Sequence, residues 1–159
     1  MSNNISLLED VISEEIIDLE MEVNTKEEVI HQLGINLLQQ GRIDDIHCFV
    51  EDVLRREEIE STDMGIGVAI PHGTSTAILR NSIAIGRLKN PIQWNADDEQ
   101  EPVSVIFLMA IRSENRDHLH LELMSKIATL LLKEEFLNTL FHTHQKLELL
   151  NQIQNLLKE

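Results

Sequence analysis

The amino-acid sequence predicts an α/β layered domain built on a mixed sheet. Three observations carry this reading. Residues 16 to 23 show an apolar period of two, the mark of a half-buried strand. Two helical stripes follow, and then a middle third rich in β-branched residues. The last third holds three further helical stripes and no proline.

Each element has its own signal. Ile17, Leu19, Met21 and Val23 alternate with Asp18, Glu20 and Glu22 in the first strand. Thr25-Lys26-Glu27-Glu28 reads as a capping box, with Thr25 at the N-cap and Glu28 at N3. The helix behind it carries Val29, Ile30, Leu33 and Leu37 on one face and stops near Gly41. Asp44 or Asp45 caps a second helix, whose stripe is Ile46, Phe49, Val50, Val53 and Leu54. It ends in the charged cluster Arg55-Arg56-Glu57-Glu58.

Val68, Ala69 and Ile70 form a short apolar run after Gly65 and Gly67. Ser82 to Leu88 reads as a second strand of the middle third. Val103 to Ile111, almost unbroken in apolar residues, reads as a strand covered on both faces. A turn-rich stretch around Asn95-Ala96-Asp97-Asp98 separates these two. The final stripes are Leu123, Met124, Ile127, Leu130 and Leu131, then Phe136, Leu137, Leu140 and Phe141, then Leu147, Leu149, Leu150, Ile153 and Leu156.

The chain has 159 residues, 42% apolar and 26% charged, which fits one globular domain spanning residues 1–159. Residues 1–5 are expected to be a disordered N-terminus. Asp and Glu number 28 against 13 Lys and Arg, for a net charge of −15. A field of that sign argues against nucleic acid and against anionic membranes, and suits a basic protein partner. No apolar run is long enough to span a bilayer, and no signal peptide is visible, so no direct membrane insertion is expected. Cys48 is the single cysteine, which fits a reducing, cytoplasmic setting. It falls on the second helix and is expected to be buried and inert.

Of seven histidines, His31, His47, His142 and His144 have bland readings as surface or helix-end residues. His72 differs. It sits in Gly65-Ile66-Gly67-Val68-Ala69-Ile70-Pro71-His72-Gly73-Thr74-Ser75, which places an imidazole at a strand end. Pro71 stiffens the approach. Gly73 lets the backbone come near a bound group, and Thr74 and Ser75 add hydroxyl donors. A nucleophilic histidine beside an anion site and a turn histidine that merely packs both fit this run.

His118 and His120, in Asp117-His118-Leu119-His120-Leu121, open a predicted helix, where free N–H groups and the helix dipole favour an anion. Helical spacing puts His120 on the edge of the buried stripe and His118 on the wetter face. A zinc site is a minority reading, because neither a second cysteine nor a His-Glu-x-x-His motif exists. Arg55 and Arg56 read either as a solvated helix C-terminus or as a guanidinium grip on phosphate. The glycines match neither a Walker loop nor a dinucleotide fingerprint.

Taken together, these residues resemble enzyme IIA of the bacterial phosphoenolpyruvate-dependent sugar phosphotransferase system (PTS), fructose/mannitol class. The matching run is Arg56-Glu57, then Ser61-Thr62, then Gly65-x-Gly67-Val68-Ala69-Ile70-Pro71-His72-Gly73. Pro91-Ile92-Gln93-Trp94, Asp97-Asp98 and Pro102-Val103 resemble the family's central stretch. His120-Leu121 through Ile127-Ala128 to Leu130-Leu131, with Glu135-Phe136 after it, resembles its second histidine helix. The resemblance runs from about residue 6 to the C-terminus. Asp63-Met64 and Ile66 depart from the family's usual pattern around the glycines.

The resemblance implies a three-layer sandwich, a mixed sheet flanked by helices on both faces. It implies that His72 is phosphorylated by the phosphorylated histidine carrier protein, HPr, and passes phosphate to a cysteine of enzyme IIB. Arg56 and His120 would flank the phosphate as catalytic groups, with Gly73, Thr74 and His118 as phosphate-binding candidates. Counting back from Ala128 favours His120 over His118 as the second histidine. No cofactor or metal is expected, since phosphate is carried covalently. Three competing readings stand beside this one. They are a nitrogen-type regulatory IIA acting by protein binding, a metal-dependent hydrolase using His72, His118 and His120, and a degenerate paralogue.

Overall fold

A computed structural model of the chain describes residues 10–95, 101–115 and 118–158. The expected disordered start and residues 96–98 of the turn-rich stretch lie outside the described residues. The order of elements is as expected: β1 (Ile17–Met21), α1 (Lys26–Gln39), α2 (Ile46–Ile59), β2 (Val68–Ala69), β3 (His72–Gly73), β4 (Ser82–Ile92), β5 (Val103–Ala110), α3 (His118–Leu131), α4 (Glu134–His142) and α5 (Lys146–Leu157).

The caps explain where the first two helices begin. Thr25 Oγ1 accepts the Glu28 amide at 3.1 Å, and Glu28 Oε1 accepts the Asn24 amide at 3.2 Å. Helix α1 is followed, past its C-cap Gln40, by Gly41, whose φ of 69° favours glycine. For α2 the cap is Asp45, whose carboxylate accepts the Cys48 amide at 3.0 Å.

The strands form one mixed sheet in the order β1-β4-β5-β2, with β3 also paired to β5. β1 runs parallel to β4, β4 antiparallel to β5, and both β2 and β3 parallel to β5. β2 and β3 therefore lie end to end along one side of β5, interrupted at Ile70-Pro71.

Because side chains alternate along a strand, β5 feeds two cores. Val105, Phe107 and Met109, with Ile111 just past the strand, pack with α3, α4 and α5, while Ile106, Leu108 and Ala110 pack with α1 and α2. The chain is thus a sheet with helices on both faces, as its sequence predicts.

Three details differ from the sequence reading. β4 continues past Leu88 to Ile92. Leu147, placed on the α5 stripe, is 54% exposed, and the buried face is instead Leu149, Leu150, Ile153, Leu156 and Leu157. Cys48 is half-buried rather than buried.

Candidate active site

The site begins with a short antiparallel pairing before β3. The Ile70 amide donates to the Thr62 carbonyl at 3.1 Å, and the Met64 amide to the Val68 carbonyl at 2.8 Å. The turn between them needs positive φ at Gly65 (83°) and Gly67 (84°), which is why glycine stands at both. The chain then joins β5 again: Pro71 and Gly73 carbonyls accept the Met109 and Ile111 amides at 2.9 and 3.1 Å. His72 is held between these two bonds.

Register sets where the two residues of β3 face. His72 pairs with Met109, which faces α3; Gly73 pairs with Ala110, which faces α2. A Cβ on Gly73 would come within 2.9 Å of both Asp52 Oδ2 and Val53 Cγ2. The glycine therefore permits close approach of α2, a different reason from the approach of a bound group given by the sequence reading. The Thr74 amide is likewise taken, donating to Asp52 Oδ2 at 2.8 Å. Ser75 Oγ accepts the Ala77 amide at 3.2 Å.

Three side chains converge beyond β3. Arg56, in the last turn of α2, brings Nη2 to 3.2 Å from His72 Nε2. A guanidinium only donates, so Nε2 must carry the lone pair and Nδ1 the proton. Nδ1 accordingly points at the Ile70 carbonyl, 3.4 Å away. His120, in the first turn of α3, meets His72 edge to face, with ring centroids 4.7 Å apart and planes at 89°. His118 is exposed, and no hydrogen bond or ring contact among the described residues joins it to this group. Of the two histidines that open α3, the structure brings His120 to His72.

Both central rings are biased toward neutrality. Burial lowers the His72 pKa; the Arg56 charge lowers it further, against the Ile70 carbonyl and the acids Glu57 and Asp52, which raise it. Burial lowers His120 as well, helped by His72 and Arg56. A neutral imidazole whose Nε2 lone pair meets only a guanidinium donor, with a second half-buried ring beside it, is equipped to attack an anionic electrophile such as a phosphoryl group. Among the described residues no group of three or more His, Cys, Asp or Glu could hold a metal ion, and His118 of the hydrolase reading is exposed.

Two neighbours of Arg56 were given no role by the sequence reading. Asp52, one turn earlier on α2, binds the chain after His72 and lies 3.6 Å from Arg55 Nη1. Glu57 is buried, although it stands in a run of four charged residues. Its signal was spacing, since Phe49, Val53 and Glu57 fall four residues apart on one face.

The profile described as "Phosphoenolpyruvate-dependent sugar phosphotransferase system, EIIA 2" matches residues 10–156. The chain belongs to this PTS EIIA type-2 family. Family members are phosphotransferases that pass phosphate via histidine.

The chain is 33% identical over 138 residues to the "PTS system fructose-like EIIA component" of Escherichia coli (strain K12), covering 86% of this chain and 92% of that protein. It is 31% identical over 146 residues to the "PTS system fructose-specific EIIABC component" of Bacillus subtilis (strain 168), covering 90% of this chain. It spans only 23% of the length of that relative.

Among solved structures, the nitrogen regulatory protein IIA-Ntr of Neisseria meningitidis superposes with a TM-score of 0.77 at 27% identity, covering 95% of this chain and 99% of that one. The mannitol IIA in the Escherichia coli complex of enzyme IIA with phosphorylated enzyme IIB gives 0.73 at 24% identity, covering 89% and 97%. The EIIA fold is thus the fold of this chain. Its departures from the EIIA pattern, Asp63-Met64 and Ile66, lie on the turn beyond the site, where Met64 and Ile66 are exposed. No helix among the described residues is long and apolar enough to cross a membrane.

Proposed function

We propose that this chain is a phosphocarrier that takes phosphate on His72 from phosphorylated HPr and passes it to a cysteine of enzyme IIB. The observation that carries the reading is the Arg56–His72–His120 cluster. It offers a lone pair at Nε2, a cation beside it and a second imidazole against it.

The chemistry follows from that geometry. The donor's N–P bond breaks as a bond forms between phosphorus and His72 Nε2, and the electron pair returns to the donor imidazole. The Nδ1 proton stays on the ring, facing the Ile70 carbonyl. Arg56 Nη2, which occupies the lone pair at rest, transfers its hydrogen bond to the oxygens of the arriving group. His120 completes the polar wall, and the Thr74 hydroxyl, without a hydrogen bond among the described residues, is a further donor for the phosphate. His118 and the Gly73 amide have no such support. The phosphate is held covalently and needs no cofactor.

A fructose- or mannitol-type transporter is the favoured destination, supported by the fructose-named relatives. The acidic surface of the chain suits a basic donor.

The test is intact mass after incubation with phosphoenolpyruvate, enzyme I and HPr. A gain of about 80 Da, acid-labile and absent in His72→Ala, is the expected result for a phosphohistidine. No gain with HPr itself phosphorylated would end the carrier reading. The likeness to IIA-Ntr supports a second reading, in which His72 is phosphorylated but the output is binding of another protein. Transfer from the phosphorylated chain to a IIB domain separates the two.

A further inference from the structure

The buried carboxylate of Glu57 has no part in the chemistry above, yet it joins α2 to the start of α1, to the loop at Thr62 and to Trp94 after β4. Its side chain is 2% exposed. Oε2 accepts from Trp94 Nε1 at 3.1 Å and from the Thr62 amide at 3.3 Å, and it faces Lys26 Nζ at 3.8 Å. Oε1 accepts from the Thr62 hydroxyl.

Two short paths run from this carboxylate to the reacting atom. One is along α2, where Arg56 is the adjacent residue. The other crosses Thr62, whose carbonyl accepts the Ile70 amide at 3.1 Å; the Ile70 carbonyl in turn faces His72 Nδ1. Glu57 thus ties the helix that carries the guanidinium to the strand that carries the imidazole.

We infer that Glu57 is a positioning residue, which acts through Thr62 and Ile70 to hold His72 with its lone pair on Nε2 and facing Arg56. A group this buried, with four donors around two oxygens, has little freedom to rearrange, so the loop it grips inherits that order. Gln keeps the shape of Glu and can still accept the Thr62 amide and the indole N–H while donating to the Thr62 hydroxyl. Ala removes all of these bonds.

The kinetic part of the test rests on the carrier reading; the spectroscopic part does not. The His72 tautomer is read by long-range proton–nitrogen NMR on the unphosphorylated full chain. Single-turnover phosphorylation by phosphorylated HPr is measured alongside, for wild type, Glu57→Ala, Glu57→Gln and Ile153→Ala, the last a core truncation in the helical layer away from the site.

Glu57→Ala is expected to lose the pure Nδ1–H signature and to slow phosphorylation at saturating donor at least tenfold, with the half-saturating HPr concentration changed less than twofold. Glu57→Gln is expected to restore both. Ile153→Ala is expected to lower the melting temperature and alter neither. If Glu57→Ala fails to fold, Thr62→Val decides in the same terms, with a partial loss of the signature and a threefold or greater slowing expected. An unchanged tautomer and a rate within twofold of wild type would overturn the inference. So would a defect confined to half-saturation. A wild-type chain that takes no phosphate defeats the carrier reading alone, because the tautomer comparison still stands.

Discussion

At the scale of single residues, Arg56 and His72 resolve one problem jointly. A nucleophile needs an unprotonated nitrogen, and an anionic electrophile needs a cation close by. The guanidinium meets both needs at 3.2 Å, since it donates to Nε2 and its charge disfavours protonating the ring. Arg56→Met is therefore expected to slow phosphorylation by roughly 10²–10³, the usual cost of one charge-stabilising donor.

The same substitution also removes a charge that lowers the His72 pKa. The acid limb of the pH–rate profile should accordingly move to higher pH, which rate measurements across the histidine range would register. In wild type, both lowered pKa values should keep the rate high as pH falls through the ordinary histidine value, with the decline coming below it. Stability follows the same sign. The folded state binds these protons less readily than the unfolded chain, so stability is full above the unfolded value and falls as pH drops toward the folded one. His120→Gln should flatten part of that fall in acid denaturation curves.

Turn and helix signals singled out Arg56, His72 and His120 but left each with a packing or solvated alternative, and the EIIA resemblance made the choice among them. Glu57 was not singled out, because a carboxylate is buried only where partners from distant segments meet it, and Lys26 and Trp94 lie far away in sequence.

At the scale of elements, the contact between α2 and β3 is set by a missing side chain. Gly73→Ala should push Asp52 and Val53 away, weaken the Thr74 tether and slow phosphorylation more than it lowers stability. Comparing the rate with the melting temperature tests this. Gly67→Ala should behave in the opposite way. Its Cβ would meet only ordinary contacts of 3.6 Å, so the cost is the left-handed backbone, about 1–2 kcal/mol in a denaturation curve.

Capping and apolar periodicity located the helices in the sequence, and the Asp45 cap shows why: a side chain and an amide three residues apart need nothing else. The end of β4 was less legible. Its register to β5 shifts between Arg87 and Ile92, and Lys89, Asn90 and Pro91 are exposed there, so the period of two that marks a strand is lost.

At the scale of the whole molecule, two cores share one sheet. Leu149→Ala, in the layer of α3 to α5, should cost about 2–5 kcal/mol by chemical denaturation and leave the phosphorylation rate of the folded protein unchanged. The layers were legible because β5 is apolar on both faces. That the site draws on both was not, since it depends on how β3 sits at the rim of the sheet.

That placement has a mechanical consequence. Arg56 reaches His72 from the helices on one face, and His120 from those on the other. A phosphoryl group gripped by both would act as a cross-brace, resisting any slide of one layer past the other. Amide exchange in α2 and in α3 should then slow together on phosphorylation, and a partner that reads the rigidity of this rim could tell the loaded carrier from the empty one.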